Sequence, residues 1–238
     1  MKLPTYTDTY SSVKIPLVIA LLCFIFYSGL VPYGKMRTVS DKFNYHREVA
    51  LAFLQGKLDI TCPQKTGCHD LALYRGKYYI YQPPVPTLFM LPAIFIWGAA
   101  TPDALIAAFL GSLNVFLFGV FFITLRRKYE NSTSPRERLR NNLRAIKSRE
   151  EIIFILVWGL GTAHYYISML GDVWHITALC GQTFLLAALT AMLSEKVGWR
   201  IGAAIFFALA VFTRLNLVTA APFFAYLLWR EKKSTSYF

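Results

Sequence analysis

Charged residues are scarce in this chain. Only 16% of the 238 residues are Asp, Glu, Lys or Arg, against roughly 25% in ordinary soluble domains. That leaves too little polar side chain to cover a soluble globule. Acidic residues are the scarcest, 13 against 25 basic ones, and stretches such as Ile152 to Leu170 and Ile176 to Leu193 hold neither sign. Cysteine and histidine are also few, four of each. They form no second spaced pair, so a structural zinc site is not expected, and no ligand motif for another divalent metal is present. Cys23 and Cys180 fall in apolar runs. Cys62 and Cys68 are the two that oxidation could join, and the sequence leaves open whether it does.

What the chain has instead is apolar surface: 55% hydrophobic residues, 19 Phe and 14 Tyr, with a mean hydropathy of +0.42. An apolar run of about 18 residues or more spans roughly 30 Å of hydrocarbon as a helix. Six segments qualify as spans: Ile15 to Tyr33, Ala104 to Leu125, Ile152 to Leu170, Ile176 to Leu193, Ile201 to Phe212 and Leu217 to Trp229. The expected fold is therefore an all-α membrane protein. It has about six transmembrane helices and short interfacial helices in a long first extracytoplasmic loop, within a single polytopic domain covering residues 1–238. The apolar start, Ile15 to Leu30, follows Lys2 and Lys14 as a signal peptide would, but no small-residue cleavage site follows, so it reads as an uncleaved first span.

A seventh candidate, Val85 to Trp97, decides the topology. Pro83, Pro84, Pro86 and Pro92 precede or interrupt it and break backbone hydrogen bonds that lipid cannot replace. It is read as a helix lying in the interface within the loop 34–101. Charge counting argues the other way. Six spans place 16 Lys and Arg inside and 9 outside, whereas seven place 22 inside and 3 outside. The proline load is given precedence, because long loops translocate largely regardless of charge. Either way the basic loop 126–151 is cytoplasmic, where it can touch anionic lipid. The net charge of +12 then reflects lipid-facing loops, with nucleic acid not an expected partner. The sequon at Asn131 lies in that loop and is expected to carry no glycan.

The remaining polar residues gather on the opposite side. They are Asp41, Tyr45, His46 and Arg47; His69, Asp70, Arg75, Lys77 and the run Tyr78 to Gln82; Asp172 and His175; and Arg214. A carboxylate there can act as a general base and neighbouring cations can hold a phosphate. Each residue also has an ordinary structural explanation. Ser40 or Asp41 could cap the helix suggested by Val49, Leu51, Ala52, Phe53 and Leu54. Asp172 follows Gly171 and could be a turn carboxylate, and His164 could satisfy an interhelical hydrogen bond. Arg214 is the most informative. The last two spans have 12 and 13 residues, about 18 to 20 Å each, so the turn between them stops below the outer surface, where a cation needs a partner or must snorkel.

Several segments resemble the GT-C superfamily of polytopic glycosyltransferases, which includes protein O-mannosyltransferases and the aminoarabinose transferase of lipid A. They are 'HREVALAFLQGKLDI' from His46, 'HDLALYRGKYYIYQPPVPTLFMLPAIFIWG' from His69, 'GTAHYYISMLGDVWH' from Gly161 and 'ALAVFTRLNLVTAAPFF' from Ala208. The resemblance implies a multi-pass protein of the bacterial inner membrane that transfers a sugar from a polyprenyl-phosphate donor to an extracytoplasmic acceptor. It implies Asp41 as the catalytic base, Asp172 as a second catalytic carboxylate and Arg214 as a cation for the lipid phosphate. His46, His69, Asp70 and Lys77 complete the expected substrate-binding set, and no cofactor is specified. Two departures stand out: Lys42 where many members have Glu, and Leu215 where they have Pro. Members of the superfamily carry more spans, so the resemblance implies the N-terminal part of a longer module. A transporter or lipid-flipping subunit is the alternative from another class, and a non-catalytic remnant is a third.

Overall fold

The structure, a computed structural model, describes residues 6–35, 44–62, 68–130, 148–194 and 196–235. Helices dominate the described residues. In chain order they are α1 (Tyr6–Tyr27), α2 (Leu30–Tyr33), α3 (Tyr45–Leu54), α4 (Val85–Trp97), α5 (Asp103–Glu130), α6 (Ser148–Leu160), α7 (Ala163–Ser168), α8 (Val173–Met192), α9 (Val197–Val211) and α10 (Ala221–Thr235). Two strands, β1 (Leu71–Tyr74) and β2 (Lys77–Ile80), form one antiparallel hairpin between α3 and α4. Three helical segments are long and apolar enough to cross a membrane: Val13–Tyr33, Asp103–Lys128 and Val173–Met192.

α5 is the hub, and small residues let its neighbours approach. A Cβ at Gly111 would lie 2.2 Å from Ser168 Oγ on α7, and one at Gly119 would lie 2.8 Å from Pro16 Cβ on α1. Without a hydrophobic drive between helices in lipid, such close backbone approach is what gains packing energy. The same contacts give direction. Tyr27, near the end of α1, packs by Gly111, and Pro16 packs by Gly119, so α1 and α5 run antiparallel. Residues 34–102 therefore start and finish at one end of the bundle, which we call the Asp103 end.

Along α8, Ile176, Leu179 and Cys180 pack with Ala107 and Leu110 of α5 and with Met90 and Ile94 of α4 in one cluster. An interhelical polar link reinforces it: Asn114 Nδ2 donates to the Leu179 carbonyl at 3.1 Å, and Thr183 Oγ1 donates to Asn114 Oδ1 at 2.7 Å. At the other end of the bundle Arg126 and Glu151 approach to 2.6 Å as an ion pair, and Lys128 Nζ donates to the Leu193 carbonyl at 3.0 Å, satisfying the C-terminus of α8.

Three sequence expectations change. The fold is not purely helical, because Arg75 (φ 50°) and Gly76 (φ 75°) form a two-residue turn of the type that closes tight hairpins. The expected third span, Ile152 to Leu170, is broken into α6 and α7 at Gly161 and Thr162. Thr162 is extended there, and its hydroxyl accepts from His164 N at 3.2 Å and donates to the Trp158 carbonyl at 2.7 Å. The last expected span starts as a 3-10 helix, Leu215–Ala220, before α10. The Val85 to Trp97 segment is a helix of 13 residues with Pro92 inside it, as its apolar run suggested.

Candidate functional site

The Asp103 end is built from the N-termini of α5 and α8, closed over by α3, the hairpin and α4. Its centre is the contact between two helix starts. A Cβ on Gly171 would lie 2.5 Å from backbone atoms of both Asp103 and Ala104, so only glycine fits there, and it brings Asp172 beside Asp103. Both carboxylates are nearly inaccessible, Asp103 at 1% exposure and Asp172 at 3%.

Both are also engaged. Asp103 Oδ2 accepts from Arg47 Nη1 at 3.1 Å, a pair that ties α3 to α5, and Arg47 Nε reaches Glu48 at 3.3 Å. Asp172 is the N-cap of α8: its Oδ1 accepts from His175 N at 3.2 Å and also contacts the His175 ring at Nδ1. The structural reading of Asp172 as a turn carboxylate thus has direct geometric support. Asp41 lies outside the described residues. The expectation that Ser40 or Asp41 caps α3 is not met, because the cap is Asn44, whose side chain accepts from His46 N at 3.1 Å.

His46 is no ligand hand. Its ring is fully buried, with Nδ1 2.9 Å from Thr87 Oγ1 and Nε2 2.7 Å from Thr177 Oγ1, and Thr177 in turn donates to Gln82 Oε1 at 2.7 Å. Burial pushes its pKa down to about 4, so the ring is neutral at pH 7 and joins α3, α4 and α8 as a hydrogen-bonded strut. His69 and Asp70 are exposed, and Asp70 Oδ2 accepts from Trp174 Nε1 at 2.9 Å. Lys77 is exposed and bonded to Asp59 at 3.0 Å, which holds the Asp59 carboxyl below its ordinary value. The Cys62–Cys68 disulfide is formed, with Cα atoms 5.4 Å apart, just ahead of these residues.

Arg214 sits apart from this end. Thr213 packs on Gly181, where a Cβ would lie 2.7 Å from Thr213 Oγ1. Gly181 is nine residues into α8 from its Asp172 cap, about 13 Å down a helix axis. The backbone beside Arg214 therefore lies near the middle of α8. The residue is partly buried, and its side chain has no partner among the described residues.

Among the described residues, the expected site residues thus do not converge on one cleft. Asp172, His46 and Asp70 surround the Asp103 end, Lys77 projects from the hairpin, and Arg214 lies deeper. Sequence reasoning missed Asp103. Its signal was the run Thr101-Pro102-Asp103 ahead of an apolar helix, which places an acid in a helix's first turn. Among the described residues no group of three His, Cys, Asp or Glu side chains is placed to hold a metal ion. No family model, no curated protein and no solved structure matches the chain.

Proposed function

We propose that the chain is a multi-pass membrane glycosyltransferase of a bacterial inner membrane, with six spans, that takes a sugar from a polyprenyl-phosphate donor. The observation that supports this reading most is Arg214, whose backbone lies near the middle of α8 and whose side chain has no partner among the described residues. A cation at that depth is costly unless paired, and an anionic lipid phosphate is the pairing a membrane supplies. The antiparallel run of α1 and α5 favours six spans over seven, since an extra crossing by α4 would make them parallel.

In the proposed step Asp41 accepts the proton of an acceptor hydroxyl, and that oxygen attacks the anomeric carbon of the donor sugar. The carbon–oxygen bond to the lipid phosphate breaks, and the leaving phosphate keeps the bonding electrons and pairs with Arg214. Asp172, as a helix cap, serves to fix the N-terminus of α8 beside Asp103.

A second reading is a lipid-moving subunit. The break at Gly161 and the mid-depth turn at Arg214 favour it, because interrupted helices near the midplane line transport paths. Donor affinity in nanodiscs separates a phosphate ligand from a snorkelling arginine. Arg214→Ala is expected to weaken donor binding by about 1.5 to 3 kcal/mol, and Arg214→Lys to restore part of it. Unchanged affinity in Arg214→Ala would overturn the phosphate assignment. Scrambling of labelled lipid in proteoliposomes, without sugar transfer by the full-length protein, would favour the second reading.

A further inference from the structure

Asp70 stands at the foot of β1 in the left-handed backbone region, φ 65°, which a non-glycine residue occupies at some cost. That conformation brings Oδ2 to 2.9 Å from Trp174 Nε1 and so fixes the plane of the indole. Tyr81 lies next to it, its ring centroid 6.1 Å from that of Trp174 with the planes at 58°. Both rings are open, Trp174 at 42% exposure and Tyr81 at 53%. Two free aromatic faces and a carboxylate therefore share one small area.

The electrostatics of these groups agree in sign. Each aromatic face carries the negative lobe of its quadrupole, and the carboxylate adds a full negative charge. The field reaches Tyr45, whose hydroxyl pKa is raised by burial and, second, by the charge of Asp70. A sugar ring also packs its C–H bonds on aromatic faces and donates hydroxyls to a carboxylate, but only a cation gains in addition from the net negative charge of the three groups. The hairpin's own cations are placed elsewhere: Lys77 is bonded to Asp59 at 3.0 Å, and Arg75 lies over the Tyr74 ring at 5.2 Å.

We propose that Asp70, Trp174 and Tyr81 form a binding site for an organic ammonium group. The Asp70 carboxylate contacts the charge and the two rings pack against its carbon substituents. The group could belong to a zwitterionic lipid headgroup at the membrane surface or to a soluble amine, and the chemistry is shared. This site is independent of Arg214 and of the transfer reaction.

The test uses the purified full chain in phosphatidylglycerol nanodiscs and measures tetramethylammonium binding by calorimetry, with sodium at matched ionic strength as control. Saturable binding with Kd in the millimolar range is expected, as for a few weak contacts at an open site. Asp70→Asn is expected to raise Kd about tenfold or more, the loss of one charged contact. Tyr81→Leu is expected to raise it about threefold, whereas Tyr81→Phe keeps the ring face and the affinity. Folding of each variant is checked by an unchanged melting transition. Repeating the titration in phosphatidylethanolamine nanodiscs assigns the source: a weakened apparent affinity identifies the headgroup, and an unchanged one identifies a soluble amine. Absence of tetramethylammonium binding to the wild type, equal binding by Asp70→Asn, or saturable binding of a neutral methyl glycoside in its place would overturn the proposal.

Discussion

Removing the Arg47 side chain tests whether the Asp103 end is held by charge. Asp103 is 1% exposed and its Oδ2 is 3.1 Å from Arg47 Nη1, whose own side chain is 16% exposed. Breaking a buried pair by deleting one partner costs about 3 to 5 kcal/mol, because the remaining charge is left desolvated. Two features lower that figure here. Asp103 opens α5, where the helix dipole favours an acid by about 0.3 to 1 kcal/mol, and Arg47 is partly hydrated already. Arg47→Ala is therefore expected to cost about 2 to 3 kcal/mol. Asp103→Asn is expected to cost only about 1 kcal/mol, since the freed guanidinium keeps Glu48 at 3.3 Å and reaches water. The double mutant should fall short of the sum by about 1.5 kcal/mol. Reversible unfolding of the four proteins in mixed micelles, followed by helical circular dichroism, gives the cycle. A coupling below about 0.5 kcal/mol, or a larger cost for Asp103→Asn than for Arg47→Ala, would refute the reasoning.

Gly171→Ala places a methyl 2.5 Å from backbone atoms of Asp103 and Ala104, and is expected to cost about 2 kcal/mol or more in the same unfolding assay. Gly198→Ala, with open space around its Cβ, should cost nothing measurable. His46 has its pKa lowered from 6.5 to about 4, so between these values the unfolded chain binds the extra proton. Stability is expected to fall by roughly 3 kcal/mol as pH drops through that window, and His46→Gln should remove the slope in unfolding curves taken from pH 7 to 4. After reduction, a membrane-impermeant maleimide on intact cells should label Cys62 and Cys68 while the buried Cys23 and Cys180 stay silent. Labelling only after lysis would make α4 a crossing helix.

The helical character of the chain, with three segments long and apolar enough to cross a membrane, was legible because it rests on long apolar runs. Where it failed, local chemistry overrode the run. The segment from Ile152 reads as one span by hydropathy, yet Thr162 supplies a cap to His164 and starts a new helix. The hairpin was illegible because its strands have only four residues each and little alternation, and the sign that mattered was the Arg75-Gly76 turn. Asp172 was seen as both a catalyst and a turn residue. Only the geometry shows the cap, since a sequence shows an acid before a helix but not where its oxygens go. Asp103 was missed for the complementary reason: its importance comes from Arg47, 56 residues away.

Helix lengths explain why the deep arginine and the surface ammonium site lie along one edge of α8. The α9 helix has 15 residues, about 22 Å, against 20 residues and about 30 Å for α8. The two start together at the Met192 end, where Ala188, Ala191 and Met192 pack with Ala203. The shorter helix ends at Val211, and Thr213 just beyond it lies level with Gly181. Above that level the α9–α10 hairpin does not reach, so the face of α8 that carries Gly181 continues uncovered by it toward Asp172. Seven residues earlier on that face, two helical turns up, is Trp174, and it is 42% exposed. The axial rise from Gly181 to Trp174 is about 10 Å. Shortening the step tests this geometry. Inserting two helical turns in α9 before Phe212, about 11 Å, should bury the Trp174 face and lower tetramethylammonium affinity, with Asp70 and Tyr81 untouched. Unchanged affinity would mean that the two sites do not share an edge.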